Sequence, residues 1–133
     1  RWYVLLDAAK LVGTSGLDLS KVHPDFVTLS FYKMFGVPSG LGCLLVRKSA
    51  ASALDKKGFA GGTVQTIRAD SDKMLLRDSL PARFEEGTLA FLSTLAVPNG
   101  LRRLTQLGPP RILQHTWSLR DWAALQIAGL RHG

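Results

Sequence analysis

The reading of this chain turns on residues 25–46: Asp25-Phe26-Val27-Thr28-Leu29-Ser30, then Phe31-Tyr32-Lys33-Met34-Phe35-Gly36, then Val37-Pro38-Ser39-Gly40 and Leu41-Gly42-Cys43-Leu44-Leu45-Val46. Residues 25–30 predict a short buried strand of the kind that sheets covered on both faces contain. Residues 31–36 predict a turn that carries one lysine among aromatic side chains. Pro38-Ser39-Gly40 predicts another turn, and residues 40–46 predict a further strand. Gly40 and Gly42 at its start mark a close approach of another backbone or of a ligand.

Upstream, Trp2-Tyr3-Val4-Leu5-Leu6 is a wholly apolar run ending in Asp7, and it predicts a buried parallel strand. Gly13-Thr14-Ser15-Gly16 is a turn, Leu17-Asp18-Leu19-Ser20 a short helical or turn segment, and His23-Pro24 a break. Downstream, Ser49 is placed to cap a short helix over 50–57. Residues 58–62 are a glycine-rich loop and 63–68 an extended segment, while 69–80 are too mixed to assign. Leu89, Leu92, Leu95 and Ala96 fall at helical spacing. Pro98-Asn99-Gly100 interrupts, then Leu101, Leu104 and Leu107 continue the pattern. Gly108-Pro109-Pro110 opens a last helix over 111–130, with Trp117 and Trp122 expected in the core. Strands in the first half and helices in the second predict an α/β protein.

The 133 residues amount to one domain or part of one. Hydrophobic residues at 46% and charged residues at 20% exclude a disordered, collagenous or disulfide-built chain. No apolar run is long enough to span a bilayer, so no membrane role is expected. Cys43 is the single cysteine, which rules out an intrachain disulfide and fits a reducing, cytoplasmic setting. The formal charge of +7 raises the question of nucleic acid. The basic residues are scattered, however, with no run beyond a pair and no recognition motif, so a solvated basic surface is the expectation. The chain opens at Arg1 directly before a strand, which reads as a piece cut from a longer protein.

Two residues stand out chemically. Asp7 and Lys33 each follow a buried apolar strand, and loops at the carboxyl ends of parallel strands are where α/β proteins hold ligands. If those strands are parallel neighbours, the two side chains converge. Aromatic neighbours would desolvate Lys33 and favour its neutral amine. A lysine opposite a carboxylate suits pyridoxal phosphate, which needs an amine for its Schiff base and an acid to keep its ring nitrogen protonated. On spacing alone, an Asp–Lys ion pair or two unrelated charges accounts for them better. No His or Cys has metal-ligand spacing: His23 lies in a connector, His115 on a helix and His132 at the end, so no metal is expected. Cys43, inside a strand, reads as an inert packed thiol. Glu85 and Glu86 read as solvated or salt-bridged.

The motifs LLDAAK (5–10), LDLS (17–20), PDFVTLSFYKMFGVPSGLGCLLVRK (24–48), FAGGT (59–63), RFEEGTLAFLSTLAV (83–97) and QHTWSL (114–119) occur in this order. Together they resemble the class V aminotransferase family, most closely its molybdenum cofactor sulfurase branch. The resemblance implies a fold-type I pyridoxal-phosphate-dependent transferase, with a mostly parallel sheet flanked by helices. Residues 1–60 would be the C-terminal part of the large cofactor domain. Residues 61–108 would be the junction with its connecting helices, and 109–133 the start of the small domain.

The resemblance further implies that Lys33 is the catalytic lysine and that Asp7 pairs with the ring nitrogen of pyridoxal 5'-phosphate. Ser30 would bind its phosphate, and Thr88 would reach the phosphate held by the other subunit of a homodimer. Gly61-Gly62-Thr63 would lie near the dimer contact. The substrate would be L-cysteine and the acceptor the molybdenum cofactor. Lys10 and Tyr32 depart from many relatives, which carry glutamine and histidine there; Tyr32 is in keeping with the sulfurase branch. The persulfide-forming cysteine would lie outside this sequence, and the piece alone would be inactive. A cysteine desulfurase or another class V transaminase is the nearest alternative, and a non-catalytic basic binding remnant the alternative of another class.

Overall fold

Three strands carry the first half of the chain. In the computed structural model, which describes residues 1–58 and 61–130, β1 (Leu5–Asp7) pairs with β2 (Phe26–Ser30), which pairs with β3 (Gly42–Val46). β1 and β2 are parallel, with Asp7 opposite Thr28. The connection over residues 8–25 is long enough for the crossover that parallel pairing demands. β2 and β3 are antiparallel, with Ser30 opposite Gly42. Residues 31–41 are too short a link for a crossover, so the chain reverses instead. Of the two pairings, therefore, only β1–β2 follows the parallel rule expected of the sheet.

The segment expected as a turn around Lys33 is a short helix, α1 (Phe31–Phe35). Gly36, at φ 84°, ends it in the left-handed conformation, and its N–H donates to the Tyr32 carbonyl at 2.8 Å. The close approach foreseen at Gly42 is present: a Cβ there would stand 2.6 Å from the Leu29 carbonyl oxygen. The helix expected from Ser49 is a 3-10 segment, Lys48–Ala53, preceded by extended Arg47 and lacking a side-chain cap.

The second half begins with an antiparallel hairpin of β4 (Val64–Ile67) and β5 (Met74–Leu76). β5 lies inside the stretch that the sequence left unassigned. Then follow α2 (Leu80–Phe84), α3 (Phe91–Thr94), α4 (Val97–Leu107) and α5 (Pro109–Ala128). Pro98-Asn99-Gly100 does not interrupt a helix but forms the first turn of α4, where proline costs no hydrogen bond. Gly100 then serves packing, because the Phe35 ring of α1 fills the space a side chain would take, 2.2 Å from an ideal Cβ. Phe59 and Ala60 of the glycine-rich loop, and His132, lie outside the described residues.

Burial departs most from expectation. Among the described residues the buried apolar ones are Ala8, Phe26, Val27, Ala50 and Val64, with Phe26 and Val27 in the central strand β2 and Val64 in the separate β4–β5 hairpin. The run from Trp2 was expected inside, yet Trp2 is 96% exposed, and Tyr3, Val4 and Leu5 are exposed too. Among the described residues β1 is an edge strand, paired with β2 on one side only. Trp117 and Trp122 are also exposed, because α5 distributes its apolar residues around its circumference while α4 packs along only part of it. No helix among the described residues is long and apolar enough to cross a membrane.

Candidate functional site

The carboxyl ends of β1 and β2 lie side by side because the strands are parallel and in register. Asp7 ends β1. Its Oδ1 accepts two hydrogen bonds, from the Ala9 N–H at 3.0 Å and from the Thr28 hydroxyl at 3.0 Å. Its Oδ2 accepts none among the described residues and faces an exposed position. These two bonds, Ala9 first and Thr28 second, hold the Asp7 carboxyl below its ordinary pKa. Partial loss of hydration opposes them, and the positive charge of Lys33 adds to them.

Lys33 stands one turn into α1, directly after β2. Its charge is felt at Asp7, yet the two form no ion pair. The structural alternative of a closed Asp–Lys bridge is therefore not realised. The expected desolvation of Lys33 is also not found: its side chain is exposed, with Nζ 5.9 Å from the Tyr32 ring centroid. Phe31 and Phe35 stack on one another, centroids 6.1 Å apart.

Ser30 occupies the junction of β2 and α1, half-buried, with no capping hydrogen bond from its hydroxyl. Thr88 lies in an exposed turn between α2 and α3, and no hydrogen bond links it to Asp7, Ser30 or Lys33. Thr63, in the Gly61–Thr63 3-10 turn, is fully buried. Cys43 is half-buried in β3, and burial pushes its thiol pKa up, as suits a packed thiol. Lys10 is exposed, and its carbonyl accepts from the Gly13 N–H at 3.3 Å. Among the described residues no cluster of His, Cys, Asp or Glu is arranged to hold a metal ion.

Sequence reasoning missed two contributors. Thr28 is one, because its role depends on the β1–β2 register, which no local pattern encodes. Gly13 is the other. It is buried in a 3-10 turn, Leu11–Gly13, packed beneath α1, and a Cβ there would stand 2.7 Å from the Lys33 carbonyl oxygen. The Gly13-Thr14-Ser15-Gly16 cluster marked a turn but not the helix it touches.

The family model for class V aminotransferases matches residues 1–132. The chain belongs to the class V aminotransferase family. Among relatives of this class V aminotransferase chain, the molybdenum cofactor sulfurase of Arabidopsis thaliana is 47% identical over 133 residues, covering 100% of this chain and 16% of the relative. The human molybdenum cofactor sulfurase is 45% identical over 134 residues, covering 99% of this chain and 15% of its own length. The chain thus spans about a sixth of the curated relatives it matches. An apo cysteine desulfurase from Thermococcus onnurineus NA1 superposes with a TM-score of 0.73 at 27% identity, over 92% of this chain and 30% of that one. A cysteine desulfurase from Escherichia coli superposes with a TM-score of 0.78 at 22% identity, over 96% and 31%, and shares the fold. The α/β fold is accordingly part of the fold-type I architecture of this family.

Proposed function

We propose that this chain forms part of the pyridoxal 5'-phosphate site of an enzyme that takes sulfur from L-cysteine and passes it to the molybdenum cofactor. The observation that carries the reading is the Asp7–Lys33 pair. Asp7 ends β1 and Lys33 lies in the short helix that directly follows its parallel neighbour β2, they share an electrostatic field without an ion pair, and Asp7 keeps one oxygen unengaged among the described residues. The donor set fits the cofactor: a carboxylate held ionised, an exposed primary amine, and a serine hydroxyl with no capping bond beside it. The names of the relatives support sulfur transfer to the molybdenum cofactor in particular.

When bound, pyridoxal phosphate supplies an electron sink for carbanion chemistry at the substrate α-carbon. Asp7, through Oδ2, accepts from the protonated ring nitrogen and keeps that proton in place. Thr28 and the Ala9 N–H fix the carboxylate by its other oxygen, so the accepting oxygen cannot swing away. The Lys33 amine would hold the cofactor and would move protons at the substrate carbon. Ser30 donates to the phosphate, and Thr88 donates to the phosphate held by the other subunit of a homodimer. Residues 1–60 then belong to the large domain, 61–108 to the junction and 109–133 to the start of the small domain.

The test is spectroscopic and chemical. Full-length protein supplied with pyridoxal phosphate should show a visible absorption band that borohydride removes. It should convert L-cysteine to alanine and restore activity to a desulfurated molybdenum enzyme. Absence of the band refutes the reading. A second reading, a cysteine desulfurase supplying another acceptor, is favoured by the likeness to the Thermococcus onnurineus desulfurase. It predicts alanine release without sulfuration of the molybdenum centre. A cytoplasmic location is part of the proposal and is checked by cell fractionation.

A further inference from the structure

Lys56 and Lys57 are adjacent but lead different lives. The Lys57 side chain is 87% exposed and pairs loosely with Asp55 at 3.7 Å. The Lys56 side chain is 5% exposed, and its Nζ donates to Oε1 of Glu86, thirty positions along the chain. Glu86 itself is 61% exposed. The asymmetry has a consequence. An enclosed ammonium without a partner is costly, so Glu86 is held where Lys56 needs it, although solvent is open to it.

Glu86 lies two residues before Thr88, in the turn between α2 and α3. The chain before that turn is fixed by arginines. Arg83 of α2 donates to the carbonyls of Arg77 at 3.0 Å and Asp78 at 3.3 Å, and Arg77 donates to the Gly62 carbonyl at 3.0 Å. Among the described residues, no other hydrogen bond or ion pair from a distant part of the chain reaches residues 85–88.

We propose that Lys56 is a positioning residue: through Glu86 it fixes the 85–88 turn, and so sets the Thr88 hydroxyl for the phosphate group of the cofactor. This rests on the function proposed above, in which Thr88 donates to a phosphate. Lys56 itself touches no ligand. It lies between the β1–β3 sheet and the glycine-rich loop, so the tether couples the sheet region to the turn that bears Thr88.

The experiment compares two probes in the full-length protein, pyridoxal phosphate and pyridoxal, which lacks the phosphate. Each is titrated through the visible band formed with Lys33. Lys56→Met should weaken pyridoxal phosphate about tenfold or more, the size expected for a charge-assisted hydrogen bond lost. Pyridoxal should change less than about twofold. Thr88→Ala should show the same selective loss, and adding Lys56→Met to Thr88→Ala should cost little more, because the two act through one contact. Should Lys56→Met fail to fold, Glu86→Gln carries the same comparison. Equal weakening of both probes, unchanged affinity for pyridoxal phosphate, or full additivity with Thr88→Ala overturns the proposal. If the unaltered protein forms no band with either probe, the cofactor reading itself falls, and the role of the tether with it.

Discussion

Replacing Gly13 with alanine would put a methyl carbon 2.7 Å from the Lys33 carbonyl oxygen and 3.2 Å from the Met34 Cα. Both neighbours are backbone atoms, so no side chain can rotate out of the way. Ordinary carbon–oxygen contacts begin near about 3.3 Å, so α1 must retreat by about half an ångström. Overpacking of this kind costs about 1–3 kcal/mol. The Gly13 φ is not in the left-handed region, so alanine also gains about 0.4–1 kcal/mol by restricting the unfolded chain. The net expectation is a loss of about 1–2 kcal/mol, read as a lower urea midpoint with unchanged slope. The functional effect should exceed the stability effect, because the atom pushed belongs to Lys33. Misplacing a reacting group by about 1 Å costs about a hundredfold, so half that shift should lower turnover of L-cysteine about tenfold. Full-length Gly13→Ala protein with wild-type midpoint and turnover would refute the idea that this turn seats the lysine.

Lys33→Ala should abolish the borohydride-sensitive visible band while leaving the far-ultraviolet circular dichroism of the full-length protein unchanged. Asp7→Asn should still bind the cofactor but lower turnover by about 10²- to 10³-fold, since the ring proton loses its charged acceptor. Thr28→Val should shift the acid limb of the pH–rate profile. The Asp7 pKa is held down in part by the Thr28 hydroxyl, so the ionised form persists until pH falls through that lowered value. Without the hydroxyl the carboxylate takes up its proton at higher pH, and activity should fail earlier on acidification. An unmoved acid limb counts against the assigned role of Thr28.

The strands at 5–7, 26–30 and 42–46 were legible because short apolar runs ended by Asp7, Lys33 and glycine turns leave few alternatives. The convergence of Asp7 and Lys33 was legible only conditionally. It required β1 and β2 to be parallel neighbours, and pairing is a long-range property that sequence periodicity does not carry. For the same reason Thr28 was invisible, although it sits in the most closely read segment. Burial was the least legible. Trp2, Trp117 and Trp122 are apolar enough for a core, but exposure depends on what packs against β1 and α5. The Lys56–Glu86 tether was also hidden, since nothing in two adjacent lysines says which one turns inward.

The Ser30–Gly42 pairing, together with the bond from the Phe31 N–H to the Leu41 carbonyl at 3.2 Å, clasps the base of the segment that carries Lys33. The lysine thus rides on a closed capsule whose mouth is sealed by its own two strands. Length changes between Gly36 and Leu41 would be absorbed inside that capsule, leaving the sheet register untouched. The station of the amine is therefore set from the strand side, by the same pairing that closes the loop.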